Sequence, residues 1–410
     1  MGSEIIHRDE ADEIKKIKGW VLIYGRRKVG KTFLIKNFLD YDVFFRINRD
    51  GSIYAEKFFV TSIGSADDFS KAVIELLSSN KTVVIDEFQR LPESILERIS
   101  MVHPQGKLIF SGSSMRVVKK LFGSSSPLLG LAMQYRLGLI KPDNMLRELS
   151  KKMDASGAVE LAPYLADAWT IPFFKMENET TRTIYELLKY SKFTIPALVG
   201  EIFIEEEREY SRVYEAVLRL MGAGEWNYKN IASILAGRKL IERADSSLVL
   251  PYIKNMAAMG LVESLSLYST KKKMYRLASP VMEAFFYLDD KYGFGETDVS
   301  FQEVKPTIEK QRSLAIQKFI GDLFAQAYNG KKEYFVTPSN ELDFIITVRN
   351  KPVVAGEVKS GKYDEKDIKK FIEKSNFIDA EKVFVTKKKK ETEINGVKIM
   401  DVSDLVAMTG

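Results

Sequence analysis

The eight residues Gly25-Arg26-Arg27-Lys28-Val29-Gly30-Lys31-Thr32 constrain this chain more than any other segment. They follow the short apolar, β-rich run Trp20 to Tyr24 and lead into the helical pattern Phe33 to Phe38, so a GxxxxGKT loop stands between a strand and a helix, the context a phosphate-binding loop requires. Each residue type has a physical reason. Glycines let backbone N–H groups close around phosphate, Lys31 reaches the β- and γ-phosphates, and the Thr32 hydroxyl ligates Mg²⁺ at a helix N-terminus. Residues 25–32 are therefore expected to bind ATP or ADP with Mg²⁺.

Composition narrows the chemistry around that loop. The 410 residues exceed what one core usually serves, and 45% apolar with 29% charged residues is the balance of a folded protein of several domains. There is no cysteine, and His7 and His103 are the only histidines, which removes thiolate chemistry, makes a Ser-His-Asp triad or a His-rich zinc cage an unpromising reading, and leaves carboxylates and hydroxyls to hold any metal. No run approaches a membrane span and Met1 to Glu4 has no signal pattern, so no membrane partner and a cytoplasmic location are expected. The formal net charge of +6 is compatible with nucleic acid without demanding it.

Two further strands point at the same site. Thr82 to Ile85 runs into Asp86-Glu87; Asp86 is placed to hold Mg²⁺ across from the loop, and Glu87 to orient or deprotonate the attacking water. A solvated acidic pair at a strand end is the alternative. Lys107 to Phe110 opens into Ser111-Gly112-Ser113-Ser114, where one serine, taken as Ser113, would sense the γ-phosphate at the carboxyl edge of an α/β sheet.

With these elements and Ser126 to Gly130 (SPLLG), the sequence resembles the archaeal ATPase family, a STAND-like branch of the AAA+ P-loop proteins. The opening Arg8-Asp9-Glu10 and the helical Ala11 to Ile17 also look like that family's start, where the adenine lies, which implies a nucleotide contact for Arg8. The chain departs from the family at Leu131, where an arginine commonly follows the Pro-Leu-x-Gly element. The phosphate-sensing arginine is thus unassigned, with Arg136 and Arg116 as substitutes or as plain surface residues.

The resemblance implies a helical lid over 141–210 and a winged helix-turn-helix over 211–290, after the ATPase domain of 1–140. The acidic run Glu205 to Glu209 reads as a solvated helix face. Helices at Tyr214 to Met221, Tyr228 to Leu235 and Leu248 to Met259, then a hairpin turning at Lys271-Lys272-Lys273, fit the winged pattern. DNA binding through the third helix and the lysine turn is one reading. That helix offers only Lys254 and Asn255 as polar readers, so packing on the ATPase or on a protein partner, including an oligomer, is the other.

The last domain, over 300–410, begins with a helix at Ile308 to Tyr328. If Arg349-Asn350-Lys351 is a three-residue turn with Val348 opposite Pro352, then Asp343 lies opposite Glu357, with Lys359 on the same face. Two carboxylates and a lysine so placed can bind a divalent ion and stabilise a pentacovalent phosphate. The pattern resembles the PD-(D/E)XK nuclease fold that commonly ends the archaeal ATPase family, though Ile320 stands where a helical glutamate is usual, with Glu309 further upstream. Lys387 to Lys390 are either phosphate contacts or solubilising charge. The expected architecture is a multidomain α/β chain: a P-loop AAA+ parallel sheet, a helical lid, a winged helix and a restriction-endonuclease-like domain. Its expected function is ATP hydrolysis coupled to action on DNA, with a nucleotide-gated protein-interaction switch carrying an inactive C-terminal domain as the alternative.

Overall fold

The computed structural model describes residues 6–56, 65–113, 128–337, 340–389 and 396–409. Ser114, Arg116, Ser126, Pro127 and Lys390 lie outside the described residues. The N-terminal third comprises α1 (Asp9–Lys15), β1 (Trp20–Tyr24), α2 (Lys31–Phe38), β2 (Val43–Ile47), β3 (Ile53–Glu56), α3 (Ala66–Ser78), β4 (Thr82–Asp86), α4 (Glu93–Ser100), β5 (Lys107–Gly112) and β6 (Ala132–Arg136). Its strands form one sheet in the order β3-β2-β4-β5-β1-β6, parallel except for β3. The continuous apolar runs of β1, β4 and β5 are explained by this placement, because a central parallel strand is buried on both faces. One face buries Trp20, Leu22, Phe45, Val83 and Phe110; the other buries Val21, Ile23, Phe44, Val84 and Ile109 under α1 and α2.

The middle of the chain is helical: α5 (Pro142–Ser150), α6 (Ala155–Leu165), a 3₁₀ turn at Ala168–Phe173, α7 (Thr180–Ser191), α8 (Thr194–Glu205), α9 (Arg212–Gly222), α10 (Tyr228–Gly237) and α11 (Ser246–Ala258). The hairpin β7 (Val262–Leu267) and β8 (Lys273–Leu277) and helix α12 (Pro280–Tyr292) follow. One expectation changes here. The acidic run is not a helix face, because α8 stops at Glu205 and Glu207 takes a positive φ of 51°.

The last segment contains α13 (Phe301–Ala327), β9 (Lys331–Val336), β10 (Glu341–Val348), β11 (Lys351–Lys359), α14 (Glu365–Ser375), β12 (Glu381–Thr386), β13 (Lys398–Met400) and α15 (Val402–Ala407). Helix α13 begins seven residues before the expected Ile308, fixed by a reciprocal Ser300–Glu303 capping box. The expected three-residue turn is also corrected. Arg349 and Asn350 both have positive φ, 52° and 64°, so a two-residue turn sets Val348 opposite Lys351. A register shift after Ile346 then restores Phe344 opposite Gly356, and this brings Asp343 alongside Glu357 by a different route from the one expected.

The second sheet runs β13-β12-β11-β10-β9-β7-β8. The β7–β8 hairpin is thus annexed to the C-terminal sheet through parallel pairing of Ser266 and Leu267 with Glu333 and Tyr334. The core follows suit: one apolar cluster extends from Ile140 through Leu218, Phe285 and Phe319 to Leu405, so the helical middle and the C-terminal sheet share a single packed interior.

Candidate nucleotide site

The loop from Gly25 to Gly30 emerges from the carboxyl end of β1, on the same sheet edge as the ends of β5 beside it and β4 beyond, which is where open α/β sheets place their ligands. Two glycines are forced by geometry. A Cβ on Gly25 would lie 2.0 Å from the Leu137 carbonyl oxygen, and Gly30 takes φ 95° to start α2. Lys31 is buried, its Nζ donating to the Gly25 and Arg26 carbonyls at 2.9 and 3.1 Å. Burial pulls its ammonium down to about 8, against the opposing fields of Glu87 and Asp86. A phosphate there would replace carbonyl dipoles with a full opposite charge.

Across the site, Thr32 Oγ1 donates to Asp86 Oδ2 at 3.0 Å. Asp86 is 1% exposed and its Oδ1 has no hydrogen-bond partner; burial first, and then Glu87, raise its carboxyl above the ordinary range. A buried carboxylate beside the Thr32 and Ser111 hydroxyls is an all-oxygen donor set that fits Mg²⁺, a hard cation that takes oxygen ligands. Glu87 turns into the left-handed region at φ 60°, a conformation stored at functional sites more often than elsewhere. Its Oε2 accepts from Gln89 Nε2 at 2.7 Å and Ser113 Oγ at 3.3 Å, and lies 3.5 Å from Arg90. Of the expected set, Lys31, Thr32, Glu87 and Ser113 line one cavity, and Asp86 joins them through its hydrogen bond with Thr32.

That cavity, of about 400 Å³, is lined by Lys28, Lys31, Thr32, Glu87 and Ser113 at one end and by apolar groups at the other. The apolar end includes Ile6, Ile140, Trp169, Ile171 and Pro172, a surface suited to the flat face of a base. Arg8, Arg26 and Arg27 are close by but already engaged. Arg8 donates to the Val29 carbonyl at 2.9 Å and pairs with Glu10 at 2.8 Å. Arg26 is turned away from the cavity and holds both oxygens of Asp167 at 2.6 Å. Arg27 pairs with Glu205 and lies 3.7 Å from Glu201, tying the loop to α8. Of the arginines weighed as phosphate sensors, Arg136 lines a separate cavity of about 550 Å³ behind the loop, with Arg26 and Lys318. Sequence reasoning missed Arg46, which does line the nucleotide cavity. Its signal was faint: a single arginine interrupting the apolar run of β2.

The C-terminal candidates are placed unevenly. Asp343 Oδ2 accepts the Val358 amide at 2.7 Å, and burial, with Glu357 next, pushes its carboxyl up to about 7. Glu357 pairs with Lys374 at 3.2 Å, and Lys359 with Asp367 at 3.2 Å. The Asp343 carboxyl thus feels the charge of Glu357, while the Lys359 ammonium is drawn to α14. Glu309 makes no hydrogen bond or ion pair with any of the three among the described residues, and Ile320 is core. Asp343 opens onto a pocket of only about 40 Å³, shared with Trp226, Arg276 and Lys318. Lys387 and Lys389 are paired with Glu160 and Asp404, Asn255 donates to the Tyr214 hydroxyl, and Lys271 to Lys273 are exposed. No helix among the described residues is long and apolar enough to cross a membrane.

Residues 12–138 match the AAA domain family. The chain is 24% identical over 271 residues to the uncharacterized protein MJECL04 of Methanocaldococcus jannaschii, an alignment spanning 60% of this chain and 57% of that protein. Among solved structures, the Aeropyrum pernix ORC2 protein in its ADPNP–ADP complexes is similar at TM-score 0.42 and 13% identity, over 78% of this chain and 96% of that one. The STAND protein PH0952 of Pyrococcus horikoshii, with a tetratricopeptide repeat sensor, is similar at TM-score 0.31 and 15% identity, over 78% and 48%. Both structural likenesses are low-scoring. The residues matched by the AAA domain family, 12–138, include the loop at the end of β1 and the ends of β4 and β5 described above.

Proposed function

We propose that the chain binds ATP with Mg²⁺ in the cavity between the P-loop and the 168–173 turn, hydrolyses it, and uses the nucleotide state to act on DNA. The observation that carries the first part is that Lys31, Thr32, Glu87 and Ser113 line one cavity, with Asp86 bonded to Thr32 beneath them. Thr32 and Asp86 would hold the ion, which would supply positive charge to offset that of the phosphates. Glu87 orients a water on the γ-phosphorus. As the water oxygen bonds to phosphorus, the bond from phosphorus to the β,γ-bridging oxygen breaks, its electron pair leaves with ADP, and the water proton passes to the Glu87 carboxylate. Ser113, bonded to Glu87, fixes that carboxylate's orientation and presents its hydroxyl to the γ-phosphate.

The DNA part rests on the basic balance of the chain and the exposed lysine turn at 271–273, and on the adjacent carboxylates Asp343 and Glu357 as a metal-dependent cutting site. A second reading has its own support. The β7–β8 hairpin is paired into the C-terminal sheet and Lys359 is held by Asp367, which favours a nucleotide-gated protein-interaction switch with an inactive C-terminal domain. Three measurements decide. Lys31→Ala should abolish nucleotide binding and Glu87→Gln should bind ATP without turning it over. Duplex or branched DNA should bind with affinity falling steeply with salt, and no binding at low salt leaves the switch reading. A Mg²⁺- or Mn²⁺-dependent nicking product should vanish in Asp343→Ala; its absence from the unmutated protein removes the nuclease assignment.

A further inference from the structure

The chain lacks an arginine at the position after Gly130, and Arg136 points into a different cavity. The cation that stabilises the transferring phosphoryl group must therefore come from elsewhere in this chain or from a partner. Most cations around the nucleotide cavity are committed: Arg8 to Val29 and Glu10, Arg27 to Glu201 and Glu205, and nearby Arg90 to the Ile47 carbonyl and Glu87. Lys28 belongs to the loop itself. Arg46 is different. It is exposed, lines the cavity, and makes no hydrogen bond or ion pair among the described residues. It also stands on β2 in direct register with Asp86 on β4, and its positive field reaches the Asp86 carboxyl. Its backbone neighbours Phe45 and Ile47 are buried, so the strand holds the guanidinium's origin rigidly while the side chain is free to move toward a ligand.

We infer that Arg46 is the γ-phosphate-sensing arginine of this site, acting in cis on the Asp86–Glu87 side of the bound nucleotide. This rests on the hydrolysis proposed above. As the water oxygen bonds to the γ-phosphorus and the bridging oxygen leaves with its electron pair on ADP, charge spreads over the equatorial oxygens. A planar guanidinium donating two N–H groups matches that oxygen pair, which an ammonium cannot do in the same geometry. Because ADP lacks the γ-phosphate, Arg46 also discriminates ATP from ADP.

The test compares the full-length protein with Arg46→Ala and Arg46→Lys. Because Arg46 is exposed and has no hydrogen-bond or ion-pair partner among the described residues, both variants should fold with unchanged thermal midpoints and bind ADP within about twofold of the unmutated protein. Turnover at saturating Mg²⁺ and ATP should fall by on the order of 10²–10³ in Arg46→Ala, the scale of losing one transition-state donor, with partial recovery in Arg46→Lys. Affinity for a non-hydrolysable ATP analogue, relative to ADP, should fall at least tenfold. Retention of both turnover and analogue preference in Arg46→Ala overturns the assignment. If the unmutated protein turns over no more ATP than Lys31→Ala, the hydrolysis reading fails instead. The ratio of analogue to ADP affinity then still decides whether Arg46 senses the γ-phosphate.

Discussion

Asp167→Asn should be among the most damaging single substitutions in the chain, and the structure says by how much. The Arg26 and Asp167 side chains are 3% and 0% exposed, and one guanidinium nitrogen lies 2.6 Å from both carboxylate oxygens. An asparagine keeps the shape and removes the charge, leaving a buried guanidinium without its counter-ion. Breaking a buried pair from one side costs roughly 3–5 kcal/mol, which at about 2–4 °C per kcal/mol is a fall of roughly 6–20 °C in thermal midpoint. Removing both charges should behave differently. Arg26→Met with Asp167→Leu leaves an apolar pair near the Met282 sulfur, which already lies 3.8 Å from the guanidinium, so most of the loss should be recovered, as apolar replacement of a buried pair is often neutral or better. The assay is differential scanning calorimetry of the three variants alongside nucleotide titration. Because Arg26 faces away from the nucleotide cavity, the double variant should bind nucleotide within a few-fold of the unmutated protein. An Asp167→Asn protein melting within about 2 °C of the original would refute the buried-clamp argument. A stable double variant that no longer binds nucleotide would show that Arg26 reaches phosphate after all.

Asp343 carries a pH signature. Its carboxyl is raised to about 7 in the folded chain from a usual 3.8, so the native state binds more protons than the unfolded one across that window. Stability should therefore fall as pH rises from about 4 to 7, and Asp343→Asn should flatten that slope in denaturant titrations; an identical slope in the variant excludes the assignment. Charge reversal of Glu205 to Lys should loosen the tie between the P-loop and α8 and place two like charges together, seen as faster amide exchange in α8 with β1 protection unchanged. Replacing Ser266 by Pro removes a backbone donor where β7 meets β9, and should increase exchange in the hairpin without changing nucleotide affinity. Loss of nucleotide binding in that variant would instead tie the hairpin to the ATPase site.

How much of this was legible beforehand follows the range of the interactions. The placement of the Gly25–Thr32 loop, of Asp86–Glu87 and of Ser113 at strand ends could be read directly, because each follows a short apolar strand that leads straight into a turn. The turn before Lys351 was misjudged by one residue, because Arg349 is not a residue that advertises a positive φ; the later register shift hid the error by restoring the alignment of Asp343 with Glu357. The acidic run at 205–209 looked like solvated charge, since nothing local tells a carboxylate that a P-loop arginine is waiting for it.

The sequence by itself identified a GxxxxGKT loop between a strand and a helix and the strand ends that stand beside it. Only the tertiary structure decided which of the arginines near this loop are paired with distant carboxylates and which lines the cavity without such a partner among the described residues. Arg26, Arg27 and Arg46 are the same residue type within or near one site, yet one is clamped to Asp167, one to Glu205, and one faces the cavity alone. The physical reason is that a guanidinium's role is fixed by its partners, and those partners lie more than a hundred residues away for the first two. The annexed β7–β8 hairpin is the same lesson in the backbone, since sheet pairing between Ser266 and Glu333 leaves no local trace in either strand.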